Sequence, residues 1–256
     1  MIKNIIIIPA RYASTRLPKK MLLDLNGKTL IKRVYENAIK SKMAQEVFIA
    51  VDSKEIYKEC INFTRNVIMT NENLNSGTER IIEALNIIKN KKENKYKNLK
   101  NIINIQGDEP FIDIKLIDNI FLMLEKQKNN TMITVKKEIK KEKEINDINN
   151  VKVITNINNE AIYFSRLAIP FNRDKLKNNV KYYKHIGIYG YKYNFLQKIK
   201  NLKQSILEET EKLEQLKIIE NGYKIKLIET KEEVIGIDTI EDLERARIYM
   251  LNNKKS

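Results

Sequence analysis

Along the chain, short unbroken apolar runs alternate with stretches in which apolar residues recur every three or four positions. The first run, Ile5-Ile6-Ile7-Ile8, has no polar position between its isoleucines, so it reads as a strand covered on both faces, as in a parallel sheet. Pro9 has no N–H to give a ladder, which predicts that the strand stops there and the chain leaves from its C-terminal end. After an Asn26-Gly27 turn, Leu30, Ile31, Val34, Ala38 and Ile39 fall at helical spacing. Glu46 to Val51 is a second strand ending at Asp52, and Asp52 with Glu55 has the form of a capping box for a helix through Ile56, Cys60 and Ile61. Asn66 to Met69 is a third strand, Ile81, Ile82 and Leu85 mark a helix, and Asn101 to Ile105 is a fourth strand. This β-α-β-α-β order implies a parallel sheet with right-handed crossovers, and the common 3-2-1-4 order sets the first and fourth strands side by side.

The second half is less regular. Asp113 precedes a helix holding Ile114, Ile117, Ile120, Phe121 and Leu124, and Met132 to Val135 is the next strand. Lys136 to Asn150 is charged and aperiodic, which predicts a solvated excursion. Val151 to Thr155 and Ala161 to Phe164, joined through Asn158-Asn159, predict an antiparallel hairpin. Leu207, Leu213, Leu216 and Ile219 suggest one helix, Lys224 to Ile228 a strand, and Ile240, Leu243, Ala246, Arg247 and Met250 an amphipathic final helix.

Composition narrows the class. A chain of 256 residues makes one large or two small domains and buries a sizeable core without disulfides. The formal charge of +15 raises the question of nucleic acid or anionic membranes. The excess, however, lies in Lys-Asn-Ile-rich runs such as 90–95 and 136–141, where no aromatics are interleaved, so neither partner is expected. Cys60, the single cysteine, excludes an internal disulfide, fits a reducing compartment and reads as a buried thiol. No apolar run reaches bilayer length and the opening residues do not form a signal peptide, so a cytoplasmic location is expected.

Candidate chemistry begins where the first strand ends. Arg11, Arg16, Lys19 and Lys20 share a loop with Ser14 and Thr15, whose small side chains allow backbone amides close to an anion, and a triphosphate is the guest that suits it. The loop lacks the glycines of a dinucleotide fingerprint or Walker loop. Gln106-Gly107-Asp108-Glu109-Pro110 follows the fourth strand, so Asp108 is expected beside that loop. A carboxylate beside a triphosphate implies an intervening cation, and magnesium takes one or two carboxylates plus phosphate oxygens. By residue type alone the same block is also a turn. Ser76-Gly77-Thr78-Glu79 is a capping box, and the helix start it makes also suits a phosphate. Asp238 with Glu241 reads by spacing as an N-cap pair. Arg166 offers bidentate binding to a carboxylate, and His185, the lone histidine, rules out a His-rich zinc site.

Ile8-Pro9-Ala10-Arg11-Tyr12-Ala13-Ser14-Thr15-Arg16-Leu17-Pro18, Ser76-Gly77-Thr78-Glu79-Arg80, Gln106-Gly107-Asp108-Glu109-Pro110, Ser165-Arg166-Leu167-Ala168-Ile169-Pro170-Phe171, His185-Ile186-Gly187-Ile188-Tyr189-Gly190-Tyr191 and Gly236-Ile237-Asp238-Thr239 occur in that order between Ile5 and Arg247. Together they resemble the signatures of 3-deoxy-manno-octulosonate (Kdo) cytidylyltransferases, the CMP-Kdo synthetases. The resemblance implies an α/β fold: a Rossmann-like mixed, mainly parallel sheet with helices on both faces plus an antiparallel hairpin excursion, as in nucleotide-diphospho-sugar transferases. It implies one nucleotidyltransferase domain over residues 1–256, with about 150–190 serving sugar binding and homodimer contacts. The implied reaction joins CTP and Kdo into CMP-Kdo and pyrophosphate for lipopolysaccharide synthesis.

By the same resemblance, Arg11, Arg16 and Lys20 are catalytic, holding the phosphates, and Ala10, Ser14, Ser76, Gly77, Arg80 and Gln106 bind the nucleotide. Gln106, Arg166, His185, Tyr189, Glu214 and Gln215 meet the sugar acid, and Asp108 and Asp238 hold Mg2+. Three departures stand out. Lys19 replaces a usual glycine, Ser205-Ile206-Leu207-Glu208-Glu209 lacks a frequent proline and histidine, and Phe171 replaces a frequent tryptophan. Two other readings stay open: activation of a related acid (8-amino-Kdo, sialic or pseudaminic acid), and a basic nucleic-acid-binding module.

Overall fold

The computed structural model describes residues 2–14, 16–74, 76–91, 93–127, 131–174 and 180–253. Thr15, within the first motif above, Asn75, just before the second, and Lys92, within a charged run, lie outside the described residues. In chain order the elements begin with β1 (Asn4–Ala10), α1 (Leu30–Ala38), β2 (Glu46–Val51), α2 (Lys54–Ile61), β3 (Val67–Met69), α3 (Gly77–Lys91), α4 (Glu93–Tyr96) and β4 (Asn101–Asn104). They continue with α5 (Ile114–Lys126), β5 (Met132–Ile139), α6 (Glu142–Asn146), β6 (Lys152–Thr155), β7 (Ala161–Ser165) and β8 (Tyr182–Lys192). The last are α7 (Tyr193–Ile199), α8 (Ile206–Glu211), α9 (Glu214–Glu220), β9 (Ile225–Thr230) and α10 (Ile240–Asn253). The chain forms two compact units, one of residues 1–121 with 233–256 and one of residues 122–232.

In the first unit the strands run β3-β2-β1-β4, all parallel, which is the predicted order. Ile5 to Ile8 are fully buried, each contributing roughly 1.5–3 kcal/mol of apolar burial. Contrary to expectation, β1 runs on through Pro9 to Ala10, paired with Ala50 and Val51. The ladder to β4 ends at Ile7 and Asn104, so at Pro9 only one neighbouring strand remains and the missing N–H breaks no second ladder. Winding reverses between β1 and β4, so their exit loops leave together. At Gly107 that approach leaves no room for a side chain: a Cβ would stand 2.8 Å from Met21 Sδ and 3.0 Å from the Pro9 carbonyl.

In the second unit β5 pairs with β9 in parallel and with β8 in antiparallel fashion, and β6 and β7 form the predicted hairpin. Two expectations fail here. Lys136 is not solvated: β5 continues to Ile139, and the buried Lys136 ammonium donates to Thr155 Oγ1 and Asn159 Oδ1, both at 3.0 Å. The single helix expected over 207–219 is broken into α8 and α9 by Lys212, which adopts φ 54° and ends α8 in a left-handed turn. Taken over both units this is an α/β fold whose sheet pairing is mixed and mostly parallel.

Candidate active site

Three loops of the first unit meet at one ammonium group. Lys20, in a single helical turn after the cationic loop, places Nζ 2.6 Å from Asp108 Oδ2 and 2.9 Å from Asp238 Oδ1. Arg16 Nη2 lies 3.1 Å from the other Asp238 oxygen. The Ile237 N–H donates to the Asp108 carbonyl at 3.0 Å, tying the segment before α10 to the loop after β4. Lys20 is buried, yet its pKa is raised: burial opposes the charge, and the two carboxylates outweigh it.

Asp238 is available because it is not the helix cap its spacing suggested. Thr239 Oγ1 accepts from the Asp242 N–H, and Asp242 Oδ2 accepts from the N–H groups of Asp238 and Thr239, so this pair closes the α10 start. Asp52 departs from its predicted role in the same way. Ser53 caps α2 by accepting from the Ile56 N–H, which frees the Asp52 carboxylate. Its Oδ1 accepts the Tyr12 N–H at 2.8 Å and its Oδ2 stands 3.2 Å from Arg80 Nη2.

Of the residues assigned to the nucleotide, Ser14, Ser76, Gly77 and Gln106 are partly exposed, whereas Ala10 closes β1 and is buried. Ser76 does cap α3, accepting from the Glu79 N–H at 3.1 Å. Arg11 donates to the Leu74 carbonyl at 3.2 Å. Arg80 is fully buried: its guanidinium faces Asp52 and donates to Thr70 Oγ1 and the Asn71 carbonyl, so it supports the neighbouring loops from beneath. Spacing gave no hint of Asp52, whose partners lie 40 and 28 positions away.

Of the residues assigned to the sugar acid, Gln106 belongs to the first unit, and Arg166, His185, Tyr189, Glu214 and Gln215 lie in the second. The Arg166 guanidinium donates to the carbonyls of Glu211 (2.9 Å) and Ile148 (3.2 Å), and among the described residues no carboxylate forms an ion pair with it. Its backbone is fixed as well, because Glu211 accepts from Ser165 Oγ and the Arg166 N–H while the buried Lys152 ammonium donates to the Arg166 carbonyl. Lys152 and Glu211 were missed by the sequence reading, since nothing in their spacing points to Arg166.

His185 is buried, edge-on to Phe164 and tilted against Tyr189 with ring centres 5.0 and 5.5 Å away. Burial, with Lys184 adding to it, pushes its pKa down to about 3, so the ring is neutral at pH 7. Thr134 Oγ1 lies 2.9 Å from His185 Nε2, 2.8 Å from the Ile188 carbonyl and 3.2 Å from the Ile186 carbonyl. A hydroxyl has one proton and carbonyls only accept, so that proton belongs to a carbonyl and Nε2–H is the donor to Thr134. Nδ1 is therefore left as an acceptor. Glu214 is exposed at the start of α9, and Gln215 beside it is buried with no hydrogen-bond partner for its Nε2 among the described residues. No helix among the described residues is long and apolar enough to cross a membrane.

The cytidylyltransferase family pattern matches residues 5–252. A 3-deoxy-manno-octulosonate cytidylyltransferase of Fusobacterium nucleatum is 44% identical over 247 residues, covering 96% of each chain. An 8-amino-3,8-dideoxy-manno-octulosonate cytidylyltransferase of Shewanella pealeana is 41% identical over 93% of this chain and 94% of its own. A solved CMP:2-keto-3-deoxy-manno-octonic acid synthetase complexed with CTP superposes with a TM-score of 0.87 at 34% identity, covering 98% of this chain and 99% of that one. With a match along nearly its whole length, this chain belongs to the cytidylyltransferase family.

Proposed function

We propose that the protein transfers CMP from CTP to Kdo, releasing pyrophosphate and supplying CMP-Kdo for lipopolysaccharide synthesis. The observation that carries the reading is the seat shared by Lys20, Asp108, Asp238 and Arg16 at the exit of β1 and β4. In the reaction the sugar's anomeric hydroxyl attacks the α-phosphorus and the bond to the pyrophosphate oxygen breaks. Such chemistry needs positioning and electrostatic stabilisation and no covalent nucleophile. Arg11, Arg16 and Lys20 hold phosphate oxygens and offset the charge growing on the departing pyrophosphate. Ala10, Ser14, Ser76, Gly77 and Gln106 surround the nucleotide.

Asp108 and Asp238 would hold magnesium, and they fit it: oxygens from both already approach one cation within 2.9 Å. Bound there, magnesium supplies Lewis-acid neutralisation of phosphate charge. In the second unit, Arg166 offers an uncompensated positive charge to the sugar's carboxylate, while His185 Nδ1, Tyr189, Glu214 and Gln215 offer hydrogen bonds to its hydroxyls. His185 orients substrate and, with its pKa held down to about 3, is a weak base.

We further propose a homodimer built on the hairpin region, supported by the exposed Ile157 (99%), Ile162, Leu167 and Phe171 (86%), and a cytoplasmic location, supported by a lone unpaired cysteine. Sedimentation at micromolar concentration tests the dimer. Pyrophosphate release with CTP, Mg2+ and Kdo tests the reaction and is expected. Release only with 8-amino-Kdo, sialic acid or pseudaminic acid would change the substrate. No release with any acid, together with strongly salt-dependent duplex binding, would replace the reading altogether.

A further inference from the structure

We propose that Asp52 is a positioning residue for the nucleotide, acting with Arg80 as a buried strut that fixes the cationic loop through the Tyr12 amide. The inference rests on the nucleotide reading of that loop, and it concerns two residues that lie beneath the site. Asp52 spends neither carboxylate oxygen on its own helix, because Ser53 has taken the cap. One oxygen accepts the N–H of Tyr12, the residue after Arg11, at 2.8 Å, and the other faces Arg80 at 3.2 Å. The Asp52 side chain is 9% exposed and that of Arg80 is not exposed at all.

Arg80 carries the connection onward. Its Nη1 donates to Thr70 Oγ1 at 2.6 Å and to the Asn71 carbonyl at 3.2 Å, and Thr70 Oγ1 in turn donates to the Val51 carbonyl at 2.9 Å. One guanidinium thus ties the ends of β2 and β3 to the first turn of α3, and through Asp52 to the residue that follows Arg11. Arg11 reaches into the same neighbourhood, donating to the Leu74 carbonyl at 3.2 Å. The burial of Arg80 first, and the nearby Arg11 charge after it, pull the Arg80 pKa down, and Asp52 opposes them.

Stability alone is a poor account of this arrangement. Arg80 Nε and Nη2 have no hydrogen-bond partner among the described residues, Nη2 meeting Asp52 as an ion pair only, and a buried ion pair with unsatisfied donors is commonly no more stable than an apolar pair of the same volume. What the pair does that an apolar pair cannot is hold a backbone amide by a carboxylate. The Tyr12 N–H is thereby turned inward and withdrawn from the amides open to an anion, which sets the path of the loop that brings Arg16 and Lys20 to the seat.

Removing Asp52 alone strands the Arg80 charge and threatens folding, so the test compares two variants that are neutral at both positions. Asp52→Asn/Arg80→Gln keeps an acceptor for Tyr12, and Asp52→Ala/Arg80→Gln does not. Relative to the first, the second is expected to show Tyr12 amide exchange faster by about tenfold and a KM for CTP higher by about fivefold, the range of one lost neutral hydrogen bond. The KM for the sugar acid is expected to move less than about twofold. Equal Tyr12 exchange and equal CTP KM in the two folded variants would overturn the proposal. If wild-type protein releases no pyrophosphate the nucleotide reading fails, while the exchange comparison still decides whether the strut holds the loop.

Discussion

Lys20→Met separates two effects that are joined in the wild-type protein. The ammonium is 2.6 and 2.9 Å from the two carboxylates proposed to hold metal, so it occupies the place a divalent cation would take. Neither carboxylate is deeply buried, with side-chain exposures of 26% and 41%, so each pair is discounted for screening to about 1 kcal/mol. Losing both leaves two like charges facing each other with only Arg16, on the other oxygen of Asp238, to offset them, a change of about 2 kcal/mol that tightens divalent metal binding roughly 30-fold. Turnover moves the other way: without one preorganised cation for the leaving pyrophosphate, kcat is expected to fall by about 10²–10³. Titration of nucleotide-free protein with Mn2+, followed by the resonance of the free ion, measures the first effect, and pyrophosphate release measures the second. Equal or weaker Mn2+ binding by Lys20→Met would show that Lys20 does not hold the metal's seat, and near-normal turnover would remove it from the reaction.

His185 makes stability depend on acid with a sign opposite to that of a salt-bridged histidine. Its pKa is about 3 in the folded chain against 6.5 when unfolded, so the contribution is complete above pH 6.5 and is lost as pH falls towards 3, about 2 kcal/mol of it by pH 5. Urea unfolding of wild type against His185→Gln between pH 7 and 5 measures this, and parallel pH slopes would contradict the buried neutral ring. Lys19 adopts φ 54° and ψ 29°, the left-handed region where a Cβ is disfavoured, and its ammonium stands 5.9 Å from the Tyr12 ring centre. Lys19→Gly is expected to raise stability by about 1 kcal/mol in the same unfolding assay, the backbone relief exceeding the loss of an exposed cation–π contact.

Four buried isoleucines, helices at regular spacing and the 3-2-1-4 strand order were legible because each depends on neighbours in sequence or on a general rule of winding. What stayed hidden depends on partners far along the chain. Lys136 looked solvated because its run is charged, yet β5 continues four residues past the expected end at Val135, to Ile139, and holds Lys136 inside the strand, where Thr155 and Asn159 satisfy it. The carboxylates at helix starts follow a pattern that could have been read. Asp113 is followed by Ile114 and does cap its own helix, accepting from the Lys115 N–H at 3.1 Å. Asp52 is followed by Ser53 and Asp238 by Thr239, and in both cases the hydroxyl residue takes the cap one position later. A hydroxyl needs no ion pair to be satisfied at a cap, whereas a carboxylate displaced by one residue points elsewhere and seeks positive charge or an amide. Both displaced carboxylates find it in the one cationic loop, Asp52 at the Tyr12 amide and Asp238 at Arg16 and Lys20. An aspartate directly before a capping serine or threonine is therefore the local signal that separates Asp52 and Asp238 from Asp113 among these helix starts.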